Sequence, residues 1–475
     1  MGQKKIIKGV FWNALQLIIN KSFAFIIKLI LAKLLVPEEF GVVGMAIVFI
    51  SFVEVFNDLG FGAALIQKKE TDYTPNLLYT AFWTNLGWSL LTYLAVAFIV
   101  APLAASFYEE PVLLQIIPVM SVGIISNSII VIHKVQLTRI MDFKKMAIIS
   151  NISNVFSGVL SITLALLGAG YWSLVFNSVA GFIVAIPLFM HATKWTPKFI
   201  WEKEDFNKIF GFGFYFTGTK FFNNLITKID YLLIGKWVGA YYLGIYTFAF
   251  ILTDTFRSQV LQIINKVMFP VYSTIQDNPA EIKKNYLNVL KYNSMIISPI
   301  MAVFVVLGEE VIRYGFGEKW LEAVFPLKII SLSILIHMMA NSYTVLLRGI
   351  GRADVEFKLQ LFKAVFIFIP MLTIGIYYYG INGASIAILI NKSTEVVIGV
   401  FILKRFIGLD YREVFAFMKK TWFFIVAMIL IGILSREVLG LHYFITFILM
   451  AVVYLFGLKG EIKKDIKHFS SLKSS

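Results

Sequence analysis

The sequence contains no cysteine, which excludes disulfides, thiolate catalysis and metal sites built on sulfur. Charge is scarce as well: 15% of the 475 residues are Asp, Glu, Lys or Arg, against 59% that are hydrophobic, an imbalance foreign to soluble domains. The five histidines are scattered, and no spacing of His, Asp and Glu matches a metal motif. No Walker A motif occurs, because "GFGFYFTG" (211–218) has neither its spacing nor a preceding strand; ATP drive within the chain is not expected. Long polar stretches are missing too. The longest connection between apolar runs covers residues 191–207, too short for a separate catalytic domain.

What remains is a chain of mean hydropathy +0.79 whose natural solvent is a bilayer. The net charge of +15 would suggest nucleic acid in a soluble protein. Here Lys and Arg are interspersed between apolar runs, so they read as juxtamembrane anchors facing membrane lipids, and no nucleic-acid partner is expected. The N-terminal "MGQKKIIKGVFWNALQLIINK" starts like a signal peptide, but Asn13, Asn20 and Lys21 interrupt it and no small-x-small cleavage site follows. It reads as a retained first span.

A spanning helix needs about 20 mostly apolar residues. Cutting the chain at Gly, Pro and charge predicts an all-α integral membrane protein with spans near 8–34, 40–65, 77–107, 112–133, 146–168, 170–190, 208–236, 243–269, 286–313, 322–348, 358–379, 381–403, 420–436 and 440–457. With fourteen spans both termini share one side, and most of the 43 basic residues fall on it. Only Lys33, Lys236, Arg313, Lys319 and Arg436 map to the other side, so the basic side, with both termini, is expected to be cytoplasmic. The acidic pairs Glu38/Glu39, Glu109/Glu110 and Glu309/Glu310 fall outside.

One junction is written twice. "LAKLLVPEEFGVVGMA" (31–46) overlays "IGKWVGAYYLGIYTFA" (234–249) at a constant offset, setting Gly41 on Gly244 and Lys33 on Lys236. A second echo joins "GAGYWSL" (168–174) to "GINGASI" (380–386). Duplication follows, with two six-span pseudo-symmetric lobes (1–190 and 208–405), a cytoplasmic linker (191–207), a connection with two extra helices (406–457) and a basic tail (458–475). Paired lobes rocking about a site on their interface would make a transporter.

Charges inside spans cost about 2.5–3.5 kcal/mol each on insertion scales, so their positions carry information. Asn13, Asn20, Lys21 and Lys28 form one polar stripe of the first span; Lys220, Asn224, Thr227 and Tyr231 form another on the seventh, edged by Lys228 and Asp230. Glu54 and Asp58 sit one turn apart in the second span, Asp254 and Arg257 in the eighth, Lys392 and Glu395 in the twelfth. The repeat overlays Glu54 on Arg257, which would let them pair across the two lobes. Lys33, Lys236, Lys266 and Lys363 are expected to snorkel, and His337 to be an interior histidine with its hydrogen bonds met. Deep cations, namely Lys21, Lys28, Lys220, Lys228, Arg257 and Lys392, with Asn20 and Asn224 beside them, suit an anionic passenger. Glu54, Asp58, Asp230, Asp254 and Glu395 are the candidates for gating or ion coupling.

The junction, together with "FNDLGFGAALIQKKE" (56–70), "RIMDFKKMAI" (139–148), "GAGYWSLV" (168–175), "KIDYLLIGKWVGAYYLGIYTFA" (228–249) and "GFGEKWLEA" (315–323), resembles the polysaccharide transporter branch of the multidrug/oligosaccharidyl-lipid/polysaccharide flippase superfamily. The resemblance covers nearly the whole chain. It implies export of undecaprenyl-pyrophosphate-linked oligosaccharide across a bacterial cytoplasmic membrane through a cationic cavity between six-helix lobes. It also implies proton or sodium coupling, no bound cofactor, and a glycan polymerase and assembly proteins as partners. A drug/cation antiporter of the same superfamily is the alternative, for which an acidic first span is expected; a membrane glycosyltransferase or polymerase would need catalytic residues on larger outer loops.

Single cysteines introduced at Ile200 and Glu318, on the natural cysteine-free background, are expected to react with an impermeant maleimide from opposite faces, Ile200 only after the cytoplasmic side is opened. Labelling of both from one face overturns the fourteen-span map.

Overall fold

The computed structural model describes residues 22–57, 61–210 and 214–474, without the side chains of 209, 210, 214–223, Phe256 and 461–474. Asn13, Asn20, Lys21 and Asp58 therefore lie outside the described residues, as does the side chain of Lys220.

Every described element is a helix or a short connection. We label them α1 (22–34), α2 (Pro37–Asn57), α3 (Phe61–Gln67), α4 (Pro75–Tyr108), α5 (Leu113–Arg139), α6 (Phe143–Leu166), α7 (Tyr171–Thr193), α8 (Lys203–Phe210), α9 (Phe214–Trp237), α10 (Ala240–Thr274), α11 (Pro279–Gly315), α12 (Glu318–His337), α13 (Tyr343–Gly349), α14 (Ala353–Ile407), α15 (Tyr411–Val438) and α16 (Tyr443–Ser474). Among the described residues ten helices are long and apolar enough to cross a membrane. The polar α9 and α10, with Lys228, Asp230, Asp254 and Arg257, are not among them, nor is the partly described α1. The longest of the ten, α14, folds back at Gly380 and supplies two spans. With these the described helices fall on the expected spans, the first of them described only from residue 22 and the tenth interrupted.

Helix boundaries are set by local chemistry. Thr74 accepts the amide of Leu77 ahead of Pro75, Asp142 that of Lys145, and Asn278 that of Glu281 ahead of Pro279; Asp410 and Glu413 form a reciprocal capping box. Arg139 donates to the carbonyls of Leu65 and Lys68 at 3.0 and 2.7 Å, closing the C-terminal end of α3 where the dipole favours a cation.

The chain forms two compact units, one up to Thr247 and one from Phe248 onward. In the first, α5 packs against α4 and α7, α6 against α7, and α9 against α2. In the second, α12 packs between α11 and α14, and α15 lies against α11 and α16.

Within the first unit the two copies of the repeated junction meet. A Cβ on Gly41 would fall on the carbonyl oxygen of Ala240, and a Cβ on Gly244 on the carbonyl oxygen of Pro37. Pro37 and Ala240 are themselves equivalent in the repeat, so the contact is reciprocal. Glycine is required here because backbone meets backbone. The second echo also has a structural basis, shifted by two residues from the sequence alignment: Gly170, at φ 57 and ψ −133, and Gly380, at φ 55 and ψ −136, turn the two hairpins in the same conformation.

The tenth expected span differs. Instead of running through 322–348, the helix stops at His337 and restarts at Tyr343, with Ser342 left-handed at φ 65. The freed polar groups are met from inside the unit: Tyr286 donates to the Asn341 carbonyl (2.9 Å), Ser294 to that of Met338 (3.2 Å), and Asn293 to Asn341 Oδ1 (2.6 Å). An interrupted helix is tolerated at membrane depth when protein groups replace the lost ladder.

Ion pairs join segments that the topology puts on one side. Lys236 meets Glu109 at 2.8 Å, Arg313 meets Glu309 at 2.7 Å and Arg436 meets Glu310 at 2.5 Å, all at the helix ends that carry few basic residues. The Lys236 ammonium holds the exposed Glu109 carboxyl below the usual carboxylate range. On the basic side Arg139 meets Glu70 and Lys283 meets Glu413, both at 2.7 Å.

Gly41→Ala is expected to lower the thermal stability of the purified protein, by about 1–3 kcal/mol for overpacking that the backbone cannot relieve. Gly44→Ala, whose Cβ would meet Leu243 and Thr247 side chains at an ordinary 3.6 Å, is expected to be nearly neutral. A thermal-shift series in detergent separates them.

Candidate functional site

Two polar constellations lie at depth, one in each unit. In the first unit a cavity of about 620 Å³ opens among α2, α3, α4, α5, α7 and α9. Glu54 projects into it one turn after Ser51 and has no ion-pair partner among the described residues. Asn224 reaches it from α9 and donates to the Ser51 carbonyl at 2.5 Å, joining α2 to α9. Asn57, Asn85 and Asn127 supply further amides. Lys134 touches Asn127 Oδ1 at 3.5 Å.

Asp230, though close in sequence to Asn224, is directed elsewhere. It is buried, accepts from the Tyr246 hydroxyl and the Tyr231 amide, each at 2.9 Å, and so ties α9 to the start of α10. The Lys228 amine lies 4.9 Å from the Tyr231 ring centroid. Lys28 is exposed on α1.

In the second unit Glu395 is the centre of a charge cluster. Its Oε1 accepts from Lys363 at 2.7 Å, and its Oε2 from Lys392 at 2.8 Å with His337 Nε2 at 3.2 Å. The halt of α12 at His337 puts the imidazole there. Lys363, expected to snorkel, does not: it is 5% exposed and turned inward, because the Glu395 carboxylate offers the amine a partner that the lipid phase lacks. His337 has only one ring nitrogen satisfied, since its Nδ1 finds no partner among the described residues. Asp254 pairs with Arg257 one turn along α10, so these two charges balance each other on their own helix. Sequence reasoning missed Asn85, Asn127 and the role of Lys363. Neutral amides carry no insertion signal as strong as charge, and Lys363 lies more than a full span from Glu395 in sequence.

Among the described residues no group of three or more His, Asp or Glu is placed to hold a metal ion. What the geometry offers instead is, in the first unit, an amide-rich chamber with one carboxylate, Glu54, and, in the second, a partly buried charge cluster in which two lysines share one carboxylate.

Glu395→Gln is expected to destabilise the protein by about 3–5 kcal/mol, because it leaves Lys363 buried and Lys392 partly buried with their carboxylate gone. Lys392→Gln, which leaves Lys363 on Glu395, is expected to cost less. Unfolding midpoints of the two variants in one detergent check the order.

The family described as "Polysaccharide biosynthesis protein" matches residues 30–325. The lipopolysaccharide biosynthesis protein WzxC of Escherichia coli K12 is 24% identical over 422 residues, covering 86% of this chain and 83% of WzxC. The teichuronic acid biosynthesis protein TuaB of Bacillus subtilis is 26% identical over 359 residues, covering 74% and 73%. Among solved structures, the lipid II flippase MurJ in an inward closed conformation aligns with a TM-score of 0.69 at 13% identity, over 96% of this chain and 99% of MurJ. An inward-facing multidrug resistance MATE family transporter of the MOP superfamily aligns with a TM-score of 0.63 at 15% identity, over 82% and 94%. These two likenesses show the fold: an all-α, multi-pass membrane architecture of the MATE and MurJ kind. The family match covers well over half of the chain, and the chain belongs to the polysaccharide biosynthesis protein family.

Proposed function

We propose that this chain is a flippase that exports undecaprenyl-pyrophosphate-linked oligosaccharide repeat units across the bacterial cytoplasmic membrane by alternating access. The observation that carries the reading is membership of a polysaccharide biosynthesis family over residues 30–325 in a fold shared, across 96% of the chain, with a lipid II flippase. Relatives named for lipopolysaccharide and teichuronic acid biosynthesis support a glycan as passenger. The chain acts as a secondary transporter and not as an enzyme, with both termini cytoplasmic and a glycan polymerase downstream. The two six-span halves, 1–190 and 208–405, are its moving parts.

The passenger's diphosphate needs cations. Lys21, Lys28, Lys220, Lys228, Arg257 and Lys392 are proposed for it, with Asn20 and Asn224 as hydrogen-bonding neighbours. Glu54, Asp58, Asp230, Asp254 and Glu395 are proposed to couple transport to a proton or sodium gradient or to gate it. Of these Glu54 is the carboxylate exposed to a cavity, which suits an exchangeable ion; Asp230, Asp254 and Glu395 have hydrogen-bonding or ionic partners in place and suit a change of partner during the cycle.

In a strain deprived of its own exporter, the combined Lys21→Gln, Lys220→Gln and Arg257→Gln variant is expected to reduce surface glycan several-fold while still inserting at normal abundance. Lys266→Gln is expected to reduce it less. Normal export by the triple variant overturns the cationic assignment, and drug extrusion with no glycan export by the natural chain overturns the flippase reading.

A further inference from the structure

The described wall of the first unit's cavity is built for hydroxyls more than for a diphosphate, the nearest described amine being Lys134, held behind the wall on Asn127 Oδ1 at 3.5 Å. Among its described lining residues there is no lysine or arginine, and the ionisable group that faces it is the Glu54 carboxylate, which repels phosphate oxygens. Its polar surface is made of neutral amides and hydroxyls: Asn57, Asn85, Asn127 and Asn224, with Ser51 and Ser178. An apolar passenger would leave these groups dehydrated and unpaired. Asn57 is the telling one, because it is only 8% exposed and its Oδ1 has no hydrogen-bond partner among the described residues. A buried acceptor left open on a cavity wall is completed by a donor from whatever fills the cavity. The other walls are apolar, with the rings of Phe61 and Phe182 and the side chain of Met120.

We propose that this cavity is a carbohydrate subsite, taking a neutral sugar of the passenger while cations elsewhere hold its diphosphate. A pyranose has hydroxyls that both donate and accept, and it has C–H faces that lie against aromatic rings. Asparagine amides match the hydroxyls in both roles, and a carboxylate accepts two of them through charge-assisted hydrogen bonds. One of the two N–H groups of the Asn224 amide is engaged by the Ser51 carbonyl, which fixes that side chain on the wall and leaves Asn57 Oδ1 as the open acceptor. The volume of about 620 Å³ lies within the range of about 300–1,000 Å³ found for small-molecule sites. The inference rests on the flippase reading and deepens it, dividing recognition between a charge-selective part and a hydroxyl-selective part.

Because the chain has no cysteine, Asn127→Cys or, should that variant fold poorly, Ser178→Cys places a single thiol in the cavity of the otherwise intact full-length protein. Its maleimide labelling rate is measured in lipid nanodiscs with glucose, galactose, N-acetylglucosamine, sodium pyrophosphate or sodium chloride at matched ionic strength. At least one sugar is expected to slow labelling several-fold while pyrophosphate does not, and Asn57→Ala with Glu54→Gln is expected to abolish that protection. Protection by pyrophosphate and not by sugar places the diphosphate here and overturns the proposal. Protection by sodium ions alone makes the cavity a cation site and overturns it, as does protection by no sugar. Glycan export by the natural chain is scored separately, so a failed subsite and a failed flippase reading give different results.

Discussion

The close crossing of α2 and α10 at Gly41 and Gly244 is the constraint on which the first unit's interior depends. Each glycine faces the backbone carbonyl of the other copy's first helical residue, Ala240 and Pro37, so the helices approach to a separation that no side chain permits. In a bilayer there is little hydrophobic drive between helices, and close backbone packing has to supply the cohesion. From that crossing α2 runs along α9, where Asn224 holds the Ser51 carbonyl, and α9 is tied back to α10 through Asp230 and Tyr246. Three helices are thereby fixed around one point. Glu54, one turn past Ser51, then faces the cavity by the helical repeat alone.

Charge is handled in three ways, according to depth. At the helix ends poor in basic residues, acidic partners neutralise Lys236, Arg313 and Arg436. On α10, Asp254 and Arg257 balance each other locally. In the second unit, Lys363, Lys392 and His337 converge on Glu395 from α14 and α12. The helix break follows directly after His337, and its freed carbonyls are met by Tyr286 and Ser294. His337 thus links the charge cluster to the polar groups of the break.

The proposed division of recognition between hydroxyl-binding amides and phosphate-binding cations has a chemical logic for an amphipathic passenger. A diphosphate is bound by charge, and sugars by directional hydrogen bonds. One chamber serving both would leave cations facing neutral hydroxyls, or a carboxylate facing phosphate, each at a desolvation cost.

Much of the architecture was legible in the sequence. Span positions follow from apolar run length, because a helix in lipid must satisfy its own backbone, and the duplication was visible at Gly41/Gly244, because steric contact admits no substitute there. The internal pairs Asp254/Arg257 and Lys392/Glu395 were also readable, since a helix places residues three apart on one face. Other features were decided only in three dimensions. The true register of the second echo appeared when Gly170 and Gly380 proved to share a backbone conformation. Lys363 was expected at the membrane surface, yet it turns inward to a carboxylate on the returning arm of α14. The cavity, too, joins Glu54, Asn57, Asn85, Asn127 and Asn224 from four helices. Periodicity determines which face of a helix is polar; which polar faces meet depends on helix packing, and packing contacts are long-range properties that no local stretch of sequence encodes.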